Sequence, residues 1–216
     1  MKNKNIITIE TSLGRIFITI IKNNQIFSKS CNSPGSIEQE LNLLIDELMI
    51  KADLEYSKID LILVSLGPGS FTGIRIGISA AKAIAVCTGA KIFGFSNFDS
   101  IYSQFLINKE NFISKNIGII IKGPGNDFFK KEIINNKPKK KNYLITSQEL
   151  ISEKYNKNIF FVGNFINTFK IKNYFFCLPE KKGYFKLANK VKENFKKIKF
   201  DEPMPIYIKE HYAKKK

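Results

Sequence analysis

The sequence predicts an α/β fold made of two lobes that repeat one unit. Apolar, β-branched segments alternate with amphipathic ones, as expected for strands and helices sharing a core. The order three strands, helix, strand, helix occurs in residues 1–105 and again in residues 106–216. The chain has 216 residues, 44% of them hydrophobic, enough for a large core without disulfide or metal staples.

Ile6–Glu10 and Ile16–Lys22 are apolar and β-branched, and Gly14 in "TSLGR" supplies the turn of a hairpin. Gln25–Lys29 adds a third strand. Ser36–Ala52 reads as a helix: Ile37, Leu41, Leu44 and Leu48 fall at helical spacing, acidic residues come early, Lys51 comes late, and Pro34-Gly35 punctuate the start. Leu43 and Ile50 widen its apolar surface beyond one core-facing stripe. "IDLILVSL", Ile59–Leu66, has the near-continuous hydrophobicity of a strand covered on both faces. A glycine-rich loop, a helix over Thr72–Cys87 and a short strand in "AKIFGF" complete the unit.

In the second half, strands are expected at Ile117–Ile121, Phe128–Ile134, Tyr143–Ile145 and Ile159–Gly163. "TSQELISEKY" is a helix opened by a capping box of Thr146 with Glu149, and Tyr184–Phe195 is the last helix. Asn135–Asn142, "NNKPKKKN", reads as a basic loop, and "PMPIYIKEHYAKKK" as a Pro-punctuated tail with a mobile basic end. The repeated order is that of ribonuclease-H-like lobes, 1–105 and 106–216.

The net charge of +16 is uneven. Residues 1–100 carry ten Lys or Arg against nine Asp or Glu, whereas residues 101–216 carry 25 against ten. The second half therefore attracts polyanions. All but Arg15 and Arg75 of the basic residues are lysines, which give a diffuse field and not the bidentate fork that reads bases. General lysine enrichment of solvated faces is the alternative. Cys31, Cys87 and Cys177 are scattered and odd in number, as free thiols would be in a reducing compartment. No uninterrupted apolar run approaches the roughly 18 residues of a membrane span. The expectation is a soluble cytoplasmic protein with no membrane attachment.

The stretch "GPGSFTGIRIGISAAKAIA", Gly67–Ala85, allows two readings. As a phosphate cradle it is incomplete. Gly69 to Gly73 is too short for a Walker loop and is followed by Ile74, not Lys. The Gly67, Gly69, Gly73 pattern resembles a dinucleotide fingerprint, but the next strand, "KIFGFSN", ends without the ribose-binding acidic residue. As a packing device it is well made. Gly67-Pro68-Gly69 forms a tight turn, and Ser70 or Thr72 can cap the helix. Gly73, Gly77, Ala81 and Ala85 recur every fourth residue and leave one helix face nearly bare, so that a neighbouring backbone can approach closely. A partner helix is the simplest cover for that face.

The same stretch resembles the signature of the TsaB (YeaZ) family, a component of the bacterial machinery that places threonylcarbamoyl on an adenosine beside the tRNA anticodon. Its approximate pattern is GPGSFTG-[LI]-R-I-G, two or three small residues, then K-G-[LI]-A. Gly67, Pro68, Gly69, Ser70, Phe71, Thr72, Gly73 and Arg75 match it, and Ala83 replaces the later glycine. "IITIETSLGRIFITII" is similar to the family's first strand, with Glu10 where Asp is usual. "PIYIKEHYAKK" is similar to its closing segment, with Lys209 for Arg. "PGSIEQ" stands for the family's R-H-S, and Lys122–Gly125 for its charged D-A-R segment.

The resemblance implies an actin-like ATPase (ASKHA) fold of two duplicated lobes and a non-catalytic role. Such proteins pair with a TsaD-like subunit that carries the ATP and metal, and a TsaE-like ATPase joins them. tRNA is reached through that complex, and a homodimer of the chain alone stays open. The implied contact lies on the first two helices, at Ile37, Leu41, Leu44, Leu48, Gly73, Gly77, Ile78, Ala81 and Ala85. Glu10, Thr11 and Ser12 fall where actin-like ATPases contact metal and phosphate, a position read here as vestigial. With His211 the chain's one histidine, no metal ligand set, catalytic residue or cofactor of its own is expected. A standalone actin-like-fold ATPase or sugar-kinase-like enzyme is the alternative.

Overall fold

The computed structural model describes residues 4–32, 35–108, 116–123, 125–135, 137–153 and 158–208. Pro34, Pro124, Lys209 and His211 therefore lie outside the described residues, as does the basic end of the tail.

Strands β1 (Ile6–Glu10), β2 (Ile16–Lys22) and β3 (Gln25–Cys31) form an antiparallel meander. Helix α1 (Ile37–Lys51) follows, then β4 (Leu61–Ser65), α2 (Phe71–Thr88), β5 (Lys91–Phe95) and α3 (Asn97–Asn108). The sheet order is β3-β2-β1-β4-β5, with β4 parallel to both β1 and β5. The second lobe repeats it: β6 (Asn116–Lys122), β7 (Asp127–Ile134), β8 (Lys137–Thr146), α4 (Ser147–Glu153), β9 (Ile159–Gly163), β10 (Tyr174–Phe176) and α5 (Lys181–Glu193). Its sheet runs β10-β9-β6-β7-β8, the same order seen from the other end. The chain thus adopts the duplicated ribonuclease-H-like, two-lobed α/β fold that the sequence predicts.

Both sheets are sandwiched, which is why their central strands are buried at nearly every position and do not alternate between apolar and exposed polar residues. In the first sheet Ile7, Ile9, Ile18, Ile62 and Val64 face α1 and α2. Ile6, Phe17, Leu61 and Leu63 face Tyr184, Leu187, Ala188 and Val191 of α5. Conversely, Phe98, Ile101 and Phe105 of α3 cover the second sheet at Ile117, Ile119 and Val162. Each lobe therefore lends its last helix to the other's sheet. Arg15 reinforces the exchange: its guanidinium donates to the Pro179 carbonyl, lies 3.3 Å from Glu180 Oε1 and sits over the Phe17 ring.

Three expectations change here. The expected basic loop is largely strand, since Lys137–Thr146 pairs with β7. Pro138 is tolerated because β8 is an edge strand, where a missing N–H costs no ladder bond. Helix α3 and strand β10 are additional elements, so α5 corresponds to α3 and not to α2. The capping box is as expected: Thr146 N–H and Oγ1–H donate to Glu149 Oε2 at 2.6 and 2.9 Å, and Glu149 N–H returns a bond to Thr146 Oγ1.

Candidate functional site

The glycine loop lies on the carboxyl end of β1, and the crowding there explains its composition. Thr11, Ser12 and Leu13 turn sharply around the buried Glu10 side chain. Its Oε1 accepts the Ser12 N–H at 2.6 Å, the Ser12 hydroxyl at 2.8 Å and the Leu13 N–H at 3.0 Å. Glu10 Oε2 and Arg15 Nε find no hydrogen-bond partner among the described residues. Burial pushes the Glu10 carboxyl above its ordinary 4.5, while the Ser12 bonds and the positive charge of Arg15 pull the other way.

This turn is pressed directly against the loop and α2. A Cβ on Gly69 would lie 2.3 Å from the Ser12 carbonyl oxygen, and one on Gly73 would lie 2.0 Å from that of Thr11. Thr11 Oγ1 donates to the Gly73 carbonyl at 2.6 Å, and Ser70 N–H donates to the Ser12 carbonyl at 2.8 Å. Gly67 has a left-handed φ of 91° and precedes Pro68 through a cis peptide bond. Behind the loop, Asn97 Nδ2 donates to Ser12 Oγ at 2.7 Å and to the Pro68 carbonyl at 2.9 Å, while Ser65 Oγ donates to Asn97 Oδ1 at 2.8 Å. Ser70 Oγ caps α2 by accepting the Gly73 N–H. Ser65 and Asn97 hold the site together, yet at the end of β4 and the start of α3 they carry no motif that would announce them.

The expected partner face is corrected by this packing. Gly73, Gly77 and Ala81 are buried, and a Cβ on Gly77 would lie 2.5 Å from Thr11 Oγ1. The backbone that approaches the bare face is that of β1, within the same chain. Ile78, Leu41, Leu44 and Leu48 are likewise buried in the lobe's own core, with Ile37 and Ala85 packed at its margin. The surfaces left outside are different residues of the same helices. Arg75, Ser79, Ala83 and Val86 of α2 and Asn42, Leu43 and Ile50 of α1 are exposed. Val86 is 85% exposed, Ile50 80% and Leu43 58%. A groove of about 440 Å³ runs between the helices, with Ile76, Ser79, Ala80 and Ala83 on one side and Glu38 and Asn42 on the other. Arg75 lies over Phe71, 3.8 Å from the ring centroid, and Phe71 packs on Tyr207.

By length and composition α2 could cross a membrane. Its small face is nonetheless fixed on β1.

Between the lobes, Ser12, Leu13, Gly14, Gly69, Ser70 and Phe71 face Lys122, Gly123 and Asn164 across a cleft of about 450 Å³. Lys122 is engaged within its own loop: Nζ bonds the Gly125 carbonyl and lies over Phe128, while its N–H donates to Asn164. Among the described residues no cluster of His, Cys, Asp and Glu could hold a metal ion.

Known proteins resemble the chain in both sequence and fold. A family model described as TsaD, tRNA N6-adenosine threonylcarbamoyltransferase, matches residues 36–123. The tRNA threonylcarbamoyladenosine biosynthesis protein TsaB of Buchnera aphidicola subsp. Schizaphis graminum is 30% identical over 99 residues, 46% of this chain and 47% of that protein. A tRNA N6-adenosine threonylcarbamoyltransferase of Gloeothece citriformis is 26% identical over 118 residues, covering 47% of this chain and 34% of the enzyme. The chain thus spans about half the length, or less, of these curated relatives. A Pseudomonas aeruginosa protein described as similar to peptidase YEAZ superposes with a TM-score of 0.77 at 14% identity, covering 95% of this chain and 100% of that one. YeaZ from the same organism gives 0.74 at 13% identity with the same coverage. At such identities these structures speak to the fold. The chain is TsaB/YeaZ-like.

Proposed function

We propose that this TsaB/YeaZ-like chain is a non-catalytic subunit of the machinery that forms N6-threonylcarbamoyladenosine beside the tRNA anticodon. It acts by binding a TsaD-like catalytic subunit through the outward faces of α1 and α2. The observation that carries this reading is the apolar surface remaining on those helices after the core is filled: the exposed Val86, Ile50 and Leu43, together with the groove at Ile76, Ala80 and Ala83. Exposed apolar surface of this extent, next to polar Glu38, Asn42 and Ser79, suits a protein interface.

ATP and the metal belong in this account to the TsaD-like partner, a TsaE-like ATPase joins the assembly in the cytoplasm, and tRNA is met through the complex. Support for a non-catalytic role comes from the turn after β1. One oxygen of the Glu10 carboxyl is occupied by the N–H groups of its own turn, and Lys122 is tied to its own loop. The similarity to TsaB and to the TsaD family model supports the pathway.

The test is a threonylcarbamoylation assay on tRNA with a TsaD-type protein, in the presence and absence of this chain. Modification should rise on its addition, and the two proteins should co-elute. No rise and no co-elution would refute the proposal. Binding heat from Mg-ATP with the purified chain alone would favour the standalone ATPase or sugar-kinase-like reading.

A further inference from the structure

A second surface lies on the side of the molecule where the lobes exchange helices. Helices α3 and α5 pack side by side and leave a groove of about 800 Å³ between their outer edges. Its floor is apolar and aromatic, with Tyr102, Leu106 and Ile107 from α3 and Phe185 from α5. Along one wall stand Lys182, Lys186 and Lys190, each one helical turn from the next and all exposed. Among the described residues, no ion pair or side-chain hydrogen bond engages any of the three ammonium groups. Among the described residues, the one acidic residue lining the groove is Glu193, at its far end. The surrounding segment, residues 180–199, holds eight lysines against two glutamates.

We propose that this groove binds a single-stranded segment of RNA, with the lysine row tracking the phosphates and Tyr102 and Phe185 receiving bases. Successive lysines along the row are about 6 Å apart at 1.5 Å of rise per residue. That separation suits consecutive phosphates of a nucleic-acid strand. A basic wall beside aromatic side chains is the arrangement by which single strands are held without sequence readout. The chemistry agrees with the residue types: lysine supplies point charges for the backbone, and no arginine lines the groove to fork onto a base edge. The same composition argues against a protein in the groove, because interface cores are depleted in lysine and enriched in arginine. This surface is separate from the α1–α2 face, so the inference does not depend on partner binding there.

The experiment is fluorescence anisotropy of a labelled, unstructured RNA oligonucleotide of about 12 nucleotides with the full chain, across a salt series. The expected result is salt-dependent binding. Replacing the row together (Lys182→Gln, Lys186→Gln, Lys190→Gln) should weaken it about tenfold or more and flatten the log–log salt slope by about 2. Tyr102→Ala should weaken binding roughly fivefold or more with an unchanged salt slope. Lys139→Gln, Lys140→Gln and Lys141→Gln on the β7–β8 hairpin, made as a control, should leave affinity nearly intact. Thermal unfolding confirms that each variant is folded. The proposal is overturned if the wild type does not bind at low salt, if the triple α5 variant binds like the wild type, or if the hairpin variant accounts for the loss. Equal binding of a poly-glutamate peptide, insensitive to Tyr102→Ala, would also overturn it, in favour of an acidic protein segment.

Discussion

The hydroxyl of Thr11 occupies the space that a side chain on Gly77 would need, at 2.5 Å from its would-be Cβ. The small face of α2 is thus a seat for the end of β1. Gly77→Ala should destabilise the protein by about 1–3 kcal/mol through overpacking, although alanine is the better helix former by about 1 kcal/mol. Gly73→Ala should cost more, because its new Cβ meets a backbone carbonyl that cannot rotate away. Gly35, with open space around its Cβ direction, is the control, and Gly35→Ala should fall within about 0.5 kcal/mol of wild type. Urea melts of the three variants check this, and a Gly77→Ala protein as stable as wild type would contradict it.

Glu10 makes stability depend on pH in a direction opposite to most carboxylates. Its folded pKa is raised above the ordinary 4.5 by burial, so the folded state holds the proton more tightly than the unfolded one. The favourable contribution is complete below 4.5 and is lost as pH rises through the higher folded value. Glu10→Gln keeps an acceptor for the Ser12 and Leu13 N–H groups and carries no charge. Its stability relative to wild type should therefore increase from pH 4 to pH 8, as measured by denaturant melts across that range. A difference that is flat or falls with pH would sink the assignment.

Tyr184 is fully buried beneath the first sheet, between Phe17 and Phe95, and its hydroxyl has no hydrogen-bond partner among the described residues. A buried, unpaired hydroxyl is a cost that phenylalanine removes without changing the ring packing. Tyr184→Phe should stabilise the chain by about 1 kcal/mol or more. Thermal and urea unfolding test this directly, and a clear loss of stability would show that the hydroxyl is paired after all.

Much of this was legible in the sequence because the signals were local. The hairpin at Gly14, the capping box at Thr146 and the buried strand at Leu61–Ser65 are each set by residues close in the chain. Helix α3 also had a readable pattern, with Phe98, Ile101 and Phe105 at helical spacing, but it falls beyond the repeat whose order drew attention. Only the Tyr143–Ile145 end of β8 was legible as a strand; its lysine-rich start was not, since pairing to β7 overrides low intrinsic propensity. The glycine face of α2 was recognised as a close-approach surface, but no local pattern distinguishes a partner's backbone from the chain's own. That distinction is tertiary: it depends on β1 and α2, more than 60 residues apart, meeting at Thr11 and Gly73. The helix exchange, which puts α5 under the first sheet, is invisible for the same reason.

The most direct test of the central claim is the affinity of Ala83→Arg for a TsaD-type protein, measured by calorimetry beside the wild type. Ala83 is exposed in the α1–α2 groove, so the substitution should leave the melting temperature unchanged while raising Kd about thirtyfold or more. If the Ala83→Arg chain instead binds with wild-type affinity, the outward faces of α1 and α2 are not the contact.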